Sequence, residues 1–187
     1  MAELILASGS PRRKELLETA GLSFSIIVAD ITEVIPDGAS PEEAVKSLAL
    51  QKAQAVAKLY PDCVVLGSDT VVVSGGEILG KPKDEADAEK MLGELSGKIH
   101  KVCTGVAIIG PEKTKNFCET TEVEFHDLSE KEISDYVKTG EPMDKAGAYG
   151  IQGKGCVLVK RINGDYFNVV GLPVSKVYRE LADFDIR

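Results

Sequence analysis

The chain has 187 residues, 43% hydrophobic and 28% charged, enough for one well-filled domain with room for two lobes. A formal net charge of −8 argues against duplex DNA or bulk RNA as a partner, because such proteins neutralise phosphates with basic surfaces. No apolar stretch approaches a membrane span, and the short run between Glu3 and Ser8 lacks the basic flank of a signal peptide, so a cytoplasmic protein without membrane attachment is expected. In chain order, the patterning predicts a strand over 3–7, a helix over 11–20 ended by Gly21, and an extended stretch over 24–33. A helix over 41–60, a strand over 63–67, a hairpin at Gly75-Gly76 and a helix over about 84–95 follow. Strands near 98–109 and 116–126 flank a polar turn at Gly110-Pro111, and Ser129 with Glu132 makes a capping box that opens a helix to about Thr139. Strands over 156–161 and 165–170 flank Asn163-Gly164, a strong hairpin signal, and Pro173 opens a closing helix to about Leu181. Helices alternate with strands at first and hairpins come later, so the expectation is an α/β protein with a mixed rather than purely parallel sheet. Cys63, Cys103, Cys118 and Cys156 each fall in an expected strand, with no C-x-x-C and no ligand pairing with His100 or His126. They read as reduced core residues rather than a disulfide frame or a zinc site.

Four features carry chemistry. Ser8-Gly9-Ser10-Pro11-Arg12-Arg13 reads as strand, tight turn and helix start, with Ser10 at the N-cap and Pro11 at the first helical position. The positive end of a helix dipole prefers acids, as in Ser40-Pro41-Glu42-Glu43, yet the first helix begins with two arginines. Either they await a phosphate at the helix N-terminus, or they are two solvated surface arginines. Gly67-Ser68-Asp69-Thr70 interrupts an apolar run, so Asp69 is a turn residue or a carboxylate held at a strand end. A two-residue loop at Gly75-Gly76 would set Ser74 opposite Glu77; carried further, that register puts Thr70 opposite Lys81 and Asp69 beside Pro82. Lys52 lies on the apolar stripe of Val45, Leu48, Ala49, Val56 and Leu59; it either snorkels or is directed toward an anion. The segment Asp144 to Gly153 has three glycines at spacing three, which would let its backbone approach a ligand closely, and Gln152 offers a donor and an acceptor to a base edge.

Together these segments, with Gly80-Lys81-Pro82, Gly164-Asp165-Tyr166 and Gly171-Leu172-Pro173, resemble the Maf (septum-formation-inhibitor-type) nucleotide pyrophosphatases along the whole chain and in the right order. The resemblance implies one domain over 1–187 related to the inosine triphosphate pyrophosphatases: an elongated mixed sheet flanked by helices, with two lobes and a cleft. It also implies hydrolysis of nucleoside triphosphates to monophosphate and pyrophosphate with a divalent metal. In the dTTP/UTP branch three diagnostic positions are Arg, Thr and Gln, where this chain has Arg12, Thr70 and Gln152. The 7-methyl-GTP branch has instead an aromatic after Ser-Pro, Gln after the Asp, and a Ser-Glu-Gly-type late segment. Ser68 stands where many relatives have Ala, and Gly9 is variable, so neither touches a residue the chemistry needs.

The resulting expectation is attack of water on the α-phosphorus of a thymine or uracil nucleotide with pyrophosphate leaving, a step that needs charge neutralisation more than covalent chemistry. Ser8, Arg12 and Arg13 would bind phosphates, Lys52 and Lys81 would stabilise the leaving group, and Asp69 would hold the metal or take the water's proton. Glu33 is the candidate second carboxylate, with a solvated acidic loop as its alternative. Oxygen ligands favour Mg²⁺ or Mn²⁺ over zinc. Rival expectations are another base (a purine or 7-methyl-GTP) and a nucleotide-binding regulator of cell division; no motif speaks to a homodimer against a monomer.

Overall fold

The computed structural model describes residues 3–28 and 30–186, so position 29 of the expected extended stretch lies outside the described residues. Seven strands are ordered β2-β1-β3-β5-β6-β7, with β4 paired to β3. They are β1 (Leu4–Leu6), β2 (Ser25–Ile26), β3 (Val64–Ser74), β4 (Glu77–Leu79), β5 (Ile99–Ile109), β6 (Thr114–Phe125) and β7 (Val159–Asn163). β1 runs parallel to β2 and β3, whereas β3–β4 and β6–β7 are antiparallel, so the sheet is mixed as expected. The helices are α1 (Pro11–Thr19), α2 (Pro41–Ala57), α3 (Glu85–Leu95), α4 (Glu130–Val137), α5 (Tyr166–Val170) and α6 (Val174–Glu180). The chain divides into two compact units: Met1–Thr70, Thr104–Glu119 and Gly171–Arg187 form one, Val71–Cys103 and Thr120–Val170 the other.

In the first unit the short apolar β1 is buried throughout, and α2 lays Ala49, Ala53 and Val56 on Ile5, Val65 and Ala107. Two glycines make this approach possible. A Cβ on Gly67 would stand 2.3 Å from the Ala49 carbonyl oxygen, and one on Gly105 would stand 2.1 Å from that of Val45. α2 is closed at its start by a full capping box between Ser40 and Glu43. It ends at Ala57, so Leu59, expected on its stripe, is exposed instead.

The second unit packs α3 and α4 around a separate core that includes Leu92, Leu95, Val123, Phe125 and Tyr136. Its β3–β4 hairpin has the expected register, Ser74 opposite Glu77, with Gly75 and Gly76 both at positive φ. Short 3-10 turns at Glu141–Asp144, Ala146–Ala148 and Gly153–Val157 then lead into β7.

Three expectations are corrected. β3 runs unbroken through Gly67-Ser68-Asp69-Thr70, so this segment is strand and not a turn; Gly67 is there for the approach of α2. Residues 165–170 form α5 rather than the second strand of a hairpin. The Asp165 carboxylate accepts the Phe167 N–H at 2.8 Å, and buried Asn168 donates to the Val102 carbonyl and to Thr121 Oγ1, both at 3.0 Å. That local cap and those tertiary bonds override the β-propensity of the aromatic and β-branched residues. Finally, Cys103 alone of the four cysteines is fully buried, and exposed Cys156 lies in a 3-10 turn.

Candidate active site

α1 begins as the sequence predicts, with Ser10 at the N-cap and Pro11 in the first turn, but the Ser10 side chain makes no capping bond and the first turn holds no acid. The start of α1 therefore lacks the side-chain cap that α2 and α4 possess. Ser8, just upstream and buried, accepts from the Ser10 N–H at 3.3 Å and from Arg13 Nη1 at 3.1 Å, which leaves its own O–H to donate.

Arg13 turns inward: Nε donates to the Gly171 carbonyl at 2.9 Å, Nη1 to the Ser68 carbonyl at 2.8 Å as well as to Ser8, and Nη2 to Thr70 Oγ1 at 3.1 Å. Burial lowers its pKa to about 10, with Asp69 opposing the shift and Arg12 adding to it; it remains charged at neutral pH. Arg13 thus ties α1 to β3 and to the segment leading into α6. Arg12 is half-buried in the same turn. Thr70 is drawn into the same network, its hydroxyl 2.9 Å from that of Thr104 and 3.4 Å from the Gly171 carbonyl oxygen.

Lys52 projects from α2 between two carboxylates, with Nζ 2.6 Å from Asp69 Oδ1 and 3.1 Å from Glu33 Oε1. Asp69 and Lys52 are mostly covered, at 17% and 20% side-chain exposure, while Glu33 is open at 45%. The lysine does not snorkel: the anions it meets are the chain's own. The preceding helical residue fixes the same loop, because the Gln51 amide accepts the Val34 N–H at 3.0 Å and donates to the Val34 carbonyl at 2.6 Å. Consecutive residues of α2 thus hold the Glu33 side chain and the next residue's backbone. Sequence reasoning missed Gln51, since an amide among polar neighbours gives no signal until α2 and the loop meet.

Asp69 and Glu33 supply hard oxygen donors that share one ammonium group. Among the described residues no set of three or more His, Cys, Asp or Glu side chains is arranged to hold a metal. Two carboxylates completed by water nevertheless suit Mg²⁺ or Mn²⁺, which seldom require an all-protein cage. The residues present fit such an ion.

In the second unit, Lys81 is exposed just beyond β4. The β3–β4 ladder stops at Val72–Leu79, short of the Thr70–Lys81 pairing that the register suggested. The Gly147 N–H donates to the Gly80 carbonyl at 3.0 Å, which ties Gly80-Lys81-Pro82 to the glycine-rich segment. Gln152 is half-buried, immediately before the turn at Gly153–Val157.

A mixed, helix-flanked sheet and a lysine held between two acids beside an uncapped, arginine-bearing helix start define an α/β protein equipped to handle anions. In fold the chain is similar to the Staphylococcus aureus Ham1 protein (TM-score 0.50, 20% identity, 82% of this chain and 77% of that one), in line with the expected inosine triphosphate pyrophosphatase-like architecture. The chain belongs to the Maf-like protein family, whose family model matches residues 3–184. It is 58% identical over 186 residues to proteins named dTTP/UTP pyrophosphatase from Bacillus thuringiensis subsp. konkukian and Bacillus anthracis, covering 100% of this chain and 97% of each relative.

Proposed function

We propose that the chain is a nucleoside triphosphate pyrophosphatase that hydrolyses dTTP and UTP to the monophosphate and pyrophosphate. The observation that carries this reading is the 58% identity, over the full chain, to relatives named for that activity. The site gives it a physical basis. Arg12 and the uncapped N–H groups of α1 supply positive potential for a polyphosphate, and Ser8 has a hydroxyl proton to donate. Arg13 keeps that turn in place from behind. Asp69 is a carboxylate positioned by Lys52, suited to take a proton from the attacking water, and Lys52 can shift its charge toward an oxygen as pyrophosphate departs. Asp69 and Glu33 would hold a divalent cation, which when bound supplies Lewis-acid charge and makes water more acidic. In this reading Lys81 offsets charge on the leaving group, while Thr70 and Gln152 act in base choice. The enzyme then belongs in the cytoplasm, acting on free nucleotides rather than on nucleic acid; no described helix is long and apolar enough to cross a membrane.

The test is product analysis with dTTP, UTP, CTP, GTP, ATP and 7-methyl-GTP at equal concentration, with Mg²⁺ and then Mn²⁺. Equal amounts of pyrophosphate and monophosphate, fastest from dTTP and UTP, are expected. Orthophosphate as first product would overturn the reaction type, and a purine nucleotide as best substrate would overturn the base assignment.

A further inference from the structure

The segment carrying Gln152 is held on both sides by two side chains to which the proposed reaction gives no part. Tyr136, on α4, accepts the Gly150 N–H at 3.1 Å and donates its own hydroxyl proton to Glu141 Oε1 at 2.9 Å. Glu141 also accepts the N–H of Lys154 at 2.9 Å on Oε2 and that of Gly155 at 3.0 Å on Oε1. The backbone before and after Gln152 is therefore fastened to one coupled pair. That pair is itself anchored: Tyr136 is 5% exposed, and Lys145 Nζ donates to the Glu141 carbonyl at 2.6 Å.

The glycines belong to the same device. A Cβ on Gly153 would stand 2.7 Å from Glu141 Oε2, and one on Gly155 would stand 2.8 Å from the Tyr136 hydroxyl and 2.2 Å from the Gly150 carbonyl oxygen. Of the three glycines at spacing three, which read in sequence as room for a ligand, Gly153 makes room for Glu141, whereas Gly147 faces Val72 and Gly150 the Lys145 side chain. Partial burial alone would raise the Glu141 pKa, but the N–H groups of Lys154 and Gly155, the Tyr136 hydroxyl and the charge of Lys145 outweigh it. The carboxyl lies below its ordinary range and is an anionic acceptor at neutral pH.

We infer that Glu141 and Tyr136 are positioning residues for base selection, fixing the backbone on both sides of Gln152 and so setting where its amide is presented. The inference rests on the proposed role of Gln152 in choosing pyrimidines. An amide at position 141 has the same volume but turns one acceptor into a donor, so an N–H of the segment loses its partner. A phenylalanine at 136 keeps the packed ring and loses only the hydroxyl.

The experiment measures kcat/KM for dTTP, UTP, CTP, GTP and ATP in wild type, Glu141→Gln, Tyr136→Phe, Gln152→Ala and the Glu141→Gln/Gln152→Ala double variant. Amide hydrogen exchange at Gly150, Lys154 and Gly155 is followed in parallel. The expected result is a fall of about tenfold in the preference for dTTP and UTP in each single variant, with faster exchange at those amides in Glu141→Gln and Tyr136→Phe. The double variant should discriminate no worse than Gln152→Ala alone, because both changes disable one device. If Gln152→Ala lowers the preference while Glu141→Gln and Tyr136→Phe keep it within about twofold of wild type, the inference is overturned and Gln152 stands. A common factor lost on all five substrates in the position 141 and 136 variants also overturns it. Should Gln152→Ala itself leave the preference unchanged, base reading by Gln152 fails, and the inference fails with it.

Discussion

Arg12 and Arg13 stand side by side in the first turn of α1, and the Arg13 guanidinium turns into its own chain. Arg13 donates to two carbonyls and two hydroxyls of its own chain, and a guanidinium can do so because its donors are set in a rigid fork. A lysine retains the charge but cannot reach all four acceptors. Arg13→Lys should therefore cost about 3 kcal/mol of stability, read as a lower urea midpoint, since bonds from a charged donor are worth about 1.5–3 kcal/mol each. An unchanged midpoint would mean that the network contributes nothing to folding. At Asp69 the expected effect is catalytic. Asp69→Asn keeps the volume but loses the charge that faces Lys52 and could receive a proton. Turnover of dTTP should fall by at least about a hundredfold, near 2.7 kcal/mol of barrier, with a smaller change in KM. A loss under about tenfold would remove Asp69 from the centre of the chemistry. The residue types at both positions were legible in the sequence, but the bracing of the chain by Arg13 was not. That the Arg13 guanidinium turns inward depends on carbonyls at Ser68 and Gly171 that are distant in the chain.

Among the elements, α2 decides the site, because it carries Lys52 and Gln51 and lies directly on β3 and β5. Its seat exists because Gly67 and Gly105 have no side chain where the helix backbone passes. Gly105→Ala would set a methyl 2.1 Å from the Val45 carbonyl oxygen, so helix or strand must shift. A loss of about 2 kcal/mol in stability is expected, typical of forced overpacking, together with lower turnover as Lys52 moves with its helix. Urea unfolding and kcat for dTTP test the two parts separately: a lowered midpoint with full kcat would show that the seat of α2 does not govern Lys52. Hydrophobic period and caps placed α1, α2, α3 and α4 within a few residues, since those signals are local. The same local reading failed at 165–170, where strand-forming residues make α5 because Asp165 caps it and Asn168 is bonded to Val102 and Thr121. It failed again at Gly67–Thr70, where the glycine answers to a helix and not to a turn.

For the molecule as a whole, pH acts on stability through His100, buried against Phe125 and Tyr149 with its Nε2 2.8 Å from the Tyr149 hydroxyl. Burial lowers its pKa from the ordinary 6.5 to about 4, and Nδ1 has no hydrogen-bond partner among the described residues. Between these values the unfolded chain takes up a proton that the folded chain refuses, so stability rises with pH across the window. The contribution is fully present above about pH 6.5 and is lost as pH falls toward 4, amounting to about 2 kcal/mol between pH 7 and pH 5. His100→Gln keeps a polar partner for Tyr149 without titrating. Urea midpoints at the two pH values should thus fall less in the variant than in wild type; equal falls would show that His100 is not the group responsible.

The sequence by itself determined the α/β class, the mixed character of the sheet, the β3–β4 register and the family, because periodicity, caps, turn chemistry and ordered motifs are written in neighbouring residues. It also singled out Asp69, Lys52 and Glu33 as chemically loaded. Only the tertiary structure decided that Lys52 holds both acids at once, that Arg13 is a brace, and that Gly153 and Gly155 make room for Glu141 and Tyr136. Each of those facts is a contact between segments whose spacing along the chain carries no signature, and it comes into being only when packing brings them within hydrogen-bond reach.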